Sequence, residues 1–390
     1  MTPAARTQAA IELLDAIIVA AREGGAAADT LIARYFSTRR YAGSKDRRAV
    51  RELVYSAIRR CGDVPQSGRA AMLLLAQDDD ELAARFDGSA HGPAPVQAGE
   101  EPAAAGVVPA WLGRKLAESG LDAASWPALV DRAPLDVRLR RDVAASTLQE
   151  VVPEAVPIAG LAQGWRLPAG TDVAPLAGAT EVQDAGSQAV SLAAAVRPGM
   201  TVIDLCAGAG GKTLALGDAM HGEGRIVACD VDRARLSRLA PRAEKADLHI
   251  VETRLLDPNR EAAALADLNG AADVVFVDAP CSGTGTWRRN PEARWRLTPA
   301  RLDRLVATQA HVLGVAAPLV RPGGTLVYVV CSLLDAEGKD QVACFLEDHP
   351  GWQATAPAVP MGTEHGNGVR LTPAHDDSDG FFVACLSAPC

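Results

Sequence analysis

The chain predicts an α/β protein: a mostly parallel sheet flanked by helices over residues 191–390, preceded by an all-helical region and a small α/β module. Three observations carry this. From Ser191 onward, apolar runs at 201–205, 225–230, 248–251, 273–278 and 325–331 alternate with helical patterns near 212–220, 233–245 and 299–319. Such alternation predicts parallel strands with helices on both faces. The first 85 residues show only helical spacing. The length, 390 residues with 48% hydrophobic content, suffices for two or three soluble domains.

Taken in order, Ile11, Leu14, Ile17, Ile18 and Ala21 make one helical face, with Thr7 as expected N-cap and Gly24-Gly25 as stop. Val50, Leu53, Val54, Tyr55 and Ile58 make a second stripe, expected to start at Ser44. Residues 86–104, rich in Gly, Pro and Ala, are expected to form a linker. In 105–190 the patterns are shorter. A strand is expected at 134–139, a helix at 142–151, and short strands at 157–158 and 165–167.

Composition excludes several classes. The apolar run at 11–21 is interrupted by Glu12 and Asp15, so it does not span a membrane. Eight cysteines without any C-x-x-C pair argue against a disulfide framework or a zinc ribbon. A cytoplasmic chain with reduced thiols, no secretory pattern and no metal is expected. The net charge of -9 weighs against nucleic acid. The charge is uneven, however. Residues 1–60 carry 11 basic and 6 acidic side chains, and Arg288, Arg289, Arg294 and Arg296 cluster further on. Local patches act within a Debye length of about 8 Å, so phosphate contact by that cluster is one reading and a solvated face the other. Trp287 and Trp295 likewise read either as RNA-stacking or as core residues.

Two motif regions bear on chemistry. Asp204-Leu-Cys-Ala-Gly-Ala-Gly-Gly-Lys-Thr213 follows the first strand and opens a helix. Glycines there permit a tight turn and close backbone approach to a ligand. A dinucleotide fingerprint fails because Thr213 stands at the third glycine, and a P-loop fails because Cys206 stands at its first glycine. A methyl-donor loop remains, favoured by Asp230 at the second strand end, where a carboxylate suits a ribose diol. Cys281, in Asp278-Ala-Pro-Cys281, and Cys331 lie at the ends of two further strands. A parallel sheet gathers its carboxyl strand ends at one crevice, so these thiols and Asp278 are expected to meet there. Taken singly, each cysteine reads as a buried structural residue. Sequence chemistry alone does not say which thiol would be the nucleophile.

At these residues the chain resembles the RNA cytosine-C5 methyltransferases of the Sun/RsmB type. The loop 204–212 is similar to the family's S-adenosylmethionine loop, and Asp230-Val-Asp-Arg-Ala-Arg235 to its second-strand motif. Asp278-Ala-Pro-Cys281-Ser-Gly-Thr-Gly is similar to its first cysteine motif, and Arg321-Pro-Gly-Gly-Thr-Leu-Val-Tyr-Val-Val-Cys331-Ser332 to its nucleophile strand. Arg39-Arg-Tyr-Ala-Gly-Ser-Lys-Asp-Arg-Arg48 resembles part of the NusB-like domain that such members carry. Two departures are Ala209 where the family has Pro, and Arg140 where it has Asn.

The resemblance implies a Rossmann-like methyltransferase domain at 191–390, an all-α NusB-like RNA-binding domain at 1–85, a linker at 86–104 and a small RNA-recognition module at 105–190. It implies C5-methylation of a cytosine in small-subunit ribosomal RNA by a monomer that contacts no membrane. Cys331 would attack C6, Cys281 would assist C5 deprotonation or adduct release, Asp278 would bind the base, and Lys212 would orient Asp278. Cys206, Ala207, Gly208, Ala209, Gly210, Gly211, Lys212, Asp230, Asp257 and Asp278 would hold S-adenosylmethionine. Two alternatives from other classes are an RNA-binding protein with an inactive fold and a Rossmann oxidoreductase.

Overall fold

The structure, a computed structural model, describes residues 1–390. It divides into two compact units, Met1–Arg132 with Thr286–Thr298, and Ala133–Gly285 with Pro299–Cys390.

The first unit is helical, with helices Pro3–Glu23, Ala28–Ser37, Ser44–Arg60, Gly68–Ala76 and Ala110–Glu118 among its elements. It fits the NusB-like domain expected there. The first helix begins earlier than its apolar stripe suggested. Thr2 caps it, accepting the Ala5 amide at 3.1 Å, and Pro3 occupies the first turn. Thr7, the expected cap, is buried, and its hydroxyl donates to the Pro3 carbonyl. Ile11, Leu14, Ile17 and Ile18 pack against Val50, Val54, Ile58 and Met72. Gly68 makes this packing possible, because a β-carbon there would lie 2.3 Å from the Ile11 carbonyl oxygen.

Residues 86–104 are irregular but packed. Phe86 enters the core, the Ala103 amide donates to the Ala70 carbonyl, and Arg69 pairs with Glu100. Gly and Pro content signalled the lack of regular structure, not a lack of contacts. The helical unit also runs on to Arg132, beyond the 1–85 expected.

The arginine-rich segment is the larger correction. Arg294 is 0% exposed and donates to the carbonyls of Ile58 (2.6 Å), Cys61 (2.7 Å) and Pro291. The last carbonyls of a helix have no partner within it. The Arg294 guanidinium supplies one at the end of Ser44–Arg60. Arg296 donates to the carbonyls of Gly25 (2.8 Å) and Ala26 (2.6 Å), and Arg288 is buried. Glu292 accepts the Ala28 amide at 3.1 Å, placing a carboxylate at the start of a helix that lacks a side-chain cap of its own. Trp287 and Trp295 are core residues, and the Trp295 indole donates to the Cys61 carbonyl. The phosphate-facing reading of Arg288, Arg294 and Arg296, and the stacking reading of both tryptophans, are thus overturned.

The second unit opens with four antiparallel strands, β1 (Leu135–Leu139), β2 (Val156–Pro157), β3 (Gly164–Leu167) and β4 (Thr180–Val182), in the order β2-β3-β1-β4. Arg140 donates to the carbonyls of Lys245 (3.0 Å) and Ala246, closing the end of the helix Leu239–Lys245. Arg138 forms a buried ion pair with Asp218 and accepts support from Gln183, whose carbonyl oxygen takes its Nε–H at 3.0 Å.

The large sheet contains β5 (Thr201–Asp204), β6 (Arg225–Asp230), β7 (Val251–Leu255), β8 (Ala272–Asp278), β9 (Val320–Val330), β10 (Gln353–Thr355), β11 (Thr363–His365), β12 (Gly368–Leu371) and β13 (Phe381–Ser387). Its order is β11-β12-β13-β9-β8-β5-β6-β7, with β10 beside β13. β5 to β9 run parallel, and β13 pairs antiparallel with β9. The antiparallel C-terminal strands were not expected. Between β8 and β6 the strand order reverses about β5, and such a switch point opens a crevice at the carboxyl ends.

Arg294→Met should destabilise the chain by about 3 kcal/mol or more, since buried carbonyls would lose their donors. Urea unfolding checks this. A change within about 0.5 kcal/mol, as at ordinary surface sites, would show that the guanidinium is not structural.

Candidate active site

β5 delivers Asp204 and Cys206 to the crevice, and the following turn leads into the helix Gly211–Ala219. Gly210, the residue before that helix, has φ +87°, and a β-carbon there would lie 2.0 Å from Leu239 Cδ1. Glycine is needed at this position for both reasons. Asp230, at the end of β6, accepts the Gly208 amide at 2.7 Å and the Asp232 amide at 2.7 Å. It fastens the turn to the neighbouring strand, and each of its oxygens keeps a further lone pair for a ligand.

A cavity of about 480 Å³ lies at these strand ends, within the range of small-molecule sites. Cys206, Asp230, Asp278, Cys281 and Cys331 all reach its wall. The sequence therefore found residues from four separate segments that the fold brings together. Lys212 stands behind the wall, donating to Asp278 Oδ2 at 2.6 Å. The Ala207–Gly211 backbone shapes the turn but is not on the wall. Asp257 is exposed and off the wall, where its neighbour Leu256 stands instead. Arg235 lies in the short helix Arg233–Leu236 that follows β6. Its amide bonds Asp232 Oδ1 at 3.0 Å, but its guanidinium lies over Gly208 and lines the cavity. Helical spacing on a four-residue helix gave no signal for that second contact.

The two thiols lie side by side, Cys281 Sγ to Cys331 Sγ 3.3 Å. The bond to Cys331, burial and the charge of Glu337 together hold the Cys281 thiol well above its ordinary range. The two sulfurs share one hydrogen bond, in which either can be the donor. Burial, with Asp204, Asp278 and Asp230 nearby, raises Cys206 as well. Burial works against the Lys212 cation, but the charge and hydrogen bond of Asp278, helped by Cys331 and Asp204, outweigh it and raise Lys212. A buried cation thus stands close to Asp278 and Cys331 at the end of the sheet.

A sulfonium nucleoside suits this cavity. Asp230 offers acceptors for a diol, Arg235 offers a guanidinium fork for a carboxylate, and Leu205, Val231 and Leu256 offer an apolar wall for a purine.

Asp204 is fully buried and accepts the Thr213 hydroxyl at 2.6 Å. Burial, with Asp278 and Asp230 adding to it, pushes its carboxyl up to about 7. The folded chain then holds a proton that the unfolded chain releases at lower pH. Stability should fall as pH rises toward about 7, with a slope approaching about 1.4 kcal/mol per pH unit. Asp204→Asn should remove that slope in melts across this window. An unchanged slope would assign it to another group.

Residues 191–387, just over half of the chain, match the family described as 16S rRNA methyltransferase RsmB/F. A relative from Synechocystis sp. (strain ATCC 27184 / PCC 6803 / Kazusa), named Probable ribosomal RNA small subunit methyltransferase B, is 35% identical over 267 residues, which is 65% of this chain and 59% of that protein. The match thus spans about three fifths of that relative's length. The crystal structure of PH0851 superposes with a TM-score of 0.76 at 21% identity, covering 99% of both chains. The structure of NSun6 from Pyrococcus horikoshii with SFG gives a TM-score of 0.60 at 16% identity, covering 71% of this chain and 94% of that one. At such identities these two structures speak to the fold alone. Together with the paired thiols and the glycine turn, the match over 191–387 shows that the chain belongs to the RsmB/F family of 16S rRNA methyltransferases.

Proposed function

We propose that this protein transfers the methyl group of S-adenosylmethionine to C5 of a cytosine in small-subunit ribosomal RNA, through a covalent bond between Cys331 and C6. The observation that supports this best is the pair of sulfurs 3.3 Å apart on the wall of the donor cavity, beside the Lys212–Asp278 pair. S-adenosylmethionine supplies an electrophilic methyl group. The chain supplies everything that makes C5 able to take it.

Cytosine C5 is a poor nucleophile. Attack of the Cys331 thiolate on C6 gives C5 enamine character, dividing one hard step into two easier ones. Asp278, fixed by Lys212, meets N3 and the exocyclic amine as charge develops on the ring. After methyl transfer the C5 proton passes to water in the cavity, its electron pair forms the C5=C6 double bond, and the C6–S bond breaks with its pair returning to Cys331. In this reading the Cys281 thiol, 3.3 Å from that sulfur, donates to it and eases its departure. The base has to leave any stack to enter the cavity, at a cost of a few kcal/mol.

RNA is the proposed partner of a monomer acting in the cytoplasm. With Arg288, Arg294 and Arg296 turned inward, the exposed basic side chains of the helical unit include Arg40, Lys45, Arg47 and Arg48 around exposed Tyr41. Cations interleaved with an aromatic ring suit a single-stranded backbone. The small module at β1–β4 is assigned to RNA recognition as well.

Labelled methyl donor and small-subunit RNA test the reaction, and bisulfite mapping locates the product. Asp230→Ala should weaken donor binding in calorimetry, and unchanged affinity would free that strand end from its role. Cys331→Ala should abolish methyl transfer and form no adduct. Cys281→Ala should still attack and methylate, then remain joined to RNA through denaturing gels. The reverse pattern, Cys281→Ala inert and Cys331→Ala active, would make Cys281 the nucleophile.

A further inference from the structure

Glu337 played no part in the sequence reading, yet its carboxylate is fully buried directly behind both thiols. Its Oε1 accepts the Ser282 amide at 2.7 Å and Gln309 Nε2 at 3.0 Å. Its Oε2 accepts the hydroxyls of Ser282 and, at 2.5 Å, Ser332. Ser282 follows Cys281, and Ser332 follows Cys331. Gln309 also donates to the carbonyl of Pro280, the residue before Cys281, at 2.9 Å. The Glu337 carbonyl in turn accepts the Tyr328 hydroxyl at 2.6 Å, under the end of β9.

We infer that Glu337 is a positioning residue: its carboxylate clamps the Cys281-Ser282 and Cys331-Ser332 turns together and sets the spacing of the two thiols. The inference rests on the proposed reaction for its purpose, though not for its geometry. Four donors meet the four acceptor sites that a carboxylate offers. Three of them come from residues directly following the cysteines. A second bracket supports the clamp, since Thr284 Oγ1 lies 3.1 Å from the Ser332 hydroxyl and accepts the Leu333 amide at 2.7 Å. If the site needed only packing, an apolar side chain would fill the space without the cost of burying a carboxylate. The two turns also touch directly, Ser282 Oγ to Ser332 Oγ at 3.2 Å, and the carboxylate holds both of those hydroxyls at once. The negative charge also falls on Cys281, whose proton it helps retain.

Two substitutions in the full chain separate clamp from charge. Glu337→Ala removes both, and kcat for methyl transfer should fall roughly 10²-fold, the effect of misplacing a reacting group by about an ångström. Affinity for the methyl donor and KM for RNA should stay unchanged. Glu337→Gln keeps the shape, and the two serine hydroxyls can turn to accept from its amide, so it should fold and recover part of kcat. It lacks the charge, so alkylation of Cys281 by iodoacetamide, followed by mass spectrometry in the free protein, should shift to lower pH. If Glu337→Ala does not fold, Glu337→Gln decides the matter. The inference is overturned if Glu337→Gln leaves both kcat and the alkylation profile unchanged, or if the loss in Glu337→Ala is matched by an equal loss of donor affinity. The alkylation arm needs no RNA or donor. A shifted profile in a protein that transfers no methyl to RNA would keep the placement of the Glu337 charge against Cys281 and discard the proposed reaction.

Discussion

The parallel pairing of β8 with β9 is the constraint on which the site depends. Asp278 stands opposite Val329, and the Ala279 amide donates to the Val329 carbonyl. From there each strand runs only two or three residues further before its cysteine. The sulfurs meet because parallel strands end at the same level. Because side chains alternate along a strand, a one-residue slip would turn the residues of one strand to the other face. The register is secured by buried Phe276, Val277, Val327 and Tyr328, all 0% exposed.

Charge in this molecule is used inward as much as outward. Arg294, Arg296 and Arg140 all finish helices or loops by donating to backbone carbonyls. Arginine suits this because its planar fork reaches several acceptors at once. The acidic groups behave in a comparable way. Asp230 fastens the glycine turn, and Glu292 completes a helix start. Three of the arginines at 288–296 are spent on internal contacts, so a count of charges along that segment overstates the surface it offers to phosphate.

Much of the catalytic domain was readable beforehand. The five parallel strands lie close to their expected positions, displaced most at β7, where Val251–Leu255 replaces the expected 248–251. Long apolar runs bounded by turns identify buried parallel strands well. The edge was not readable. β10, β11 and β12 have three or four residues each, too few to show a period; β10 and β12 gain their order from pairing with β13, and β11 from pairing with β12. Residues 286–298 were misread because an arginine on a short irregular segment carries no sign of which way it faces.

The sequence by itself determined the parallel sheet, the glycine turn and the placement of Asp204, Asp230, Asp278, Cys281 and Cys331 at strand ends, because these follow from local period and turn chemistry. Only the tertiary structure decided that two thiols sit 3.3 Å apart, that Arg235 turns into the cavity while Asp257 does not, and that Glu337 reaches both cysteine turns. Those facts depend on contacts between segments far apart in the chain. Glu337 lies 55 residues from Ser282, and no local pattern encodes a hydrogen bond across that distance. It arises when the packed sheet leaves a buried carboxylate no other donors to choose.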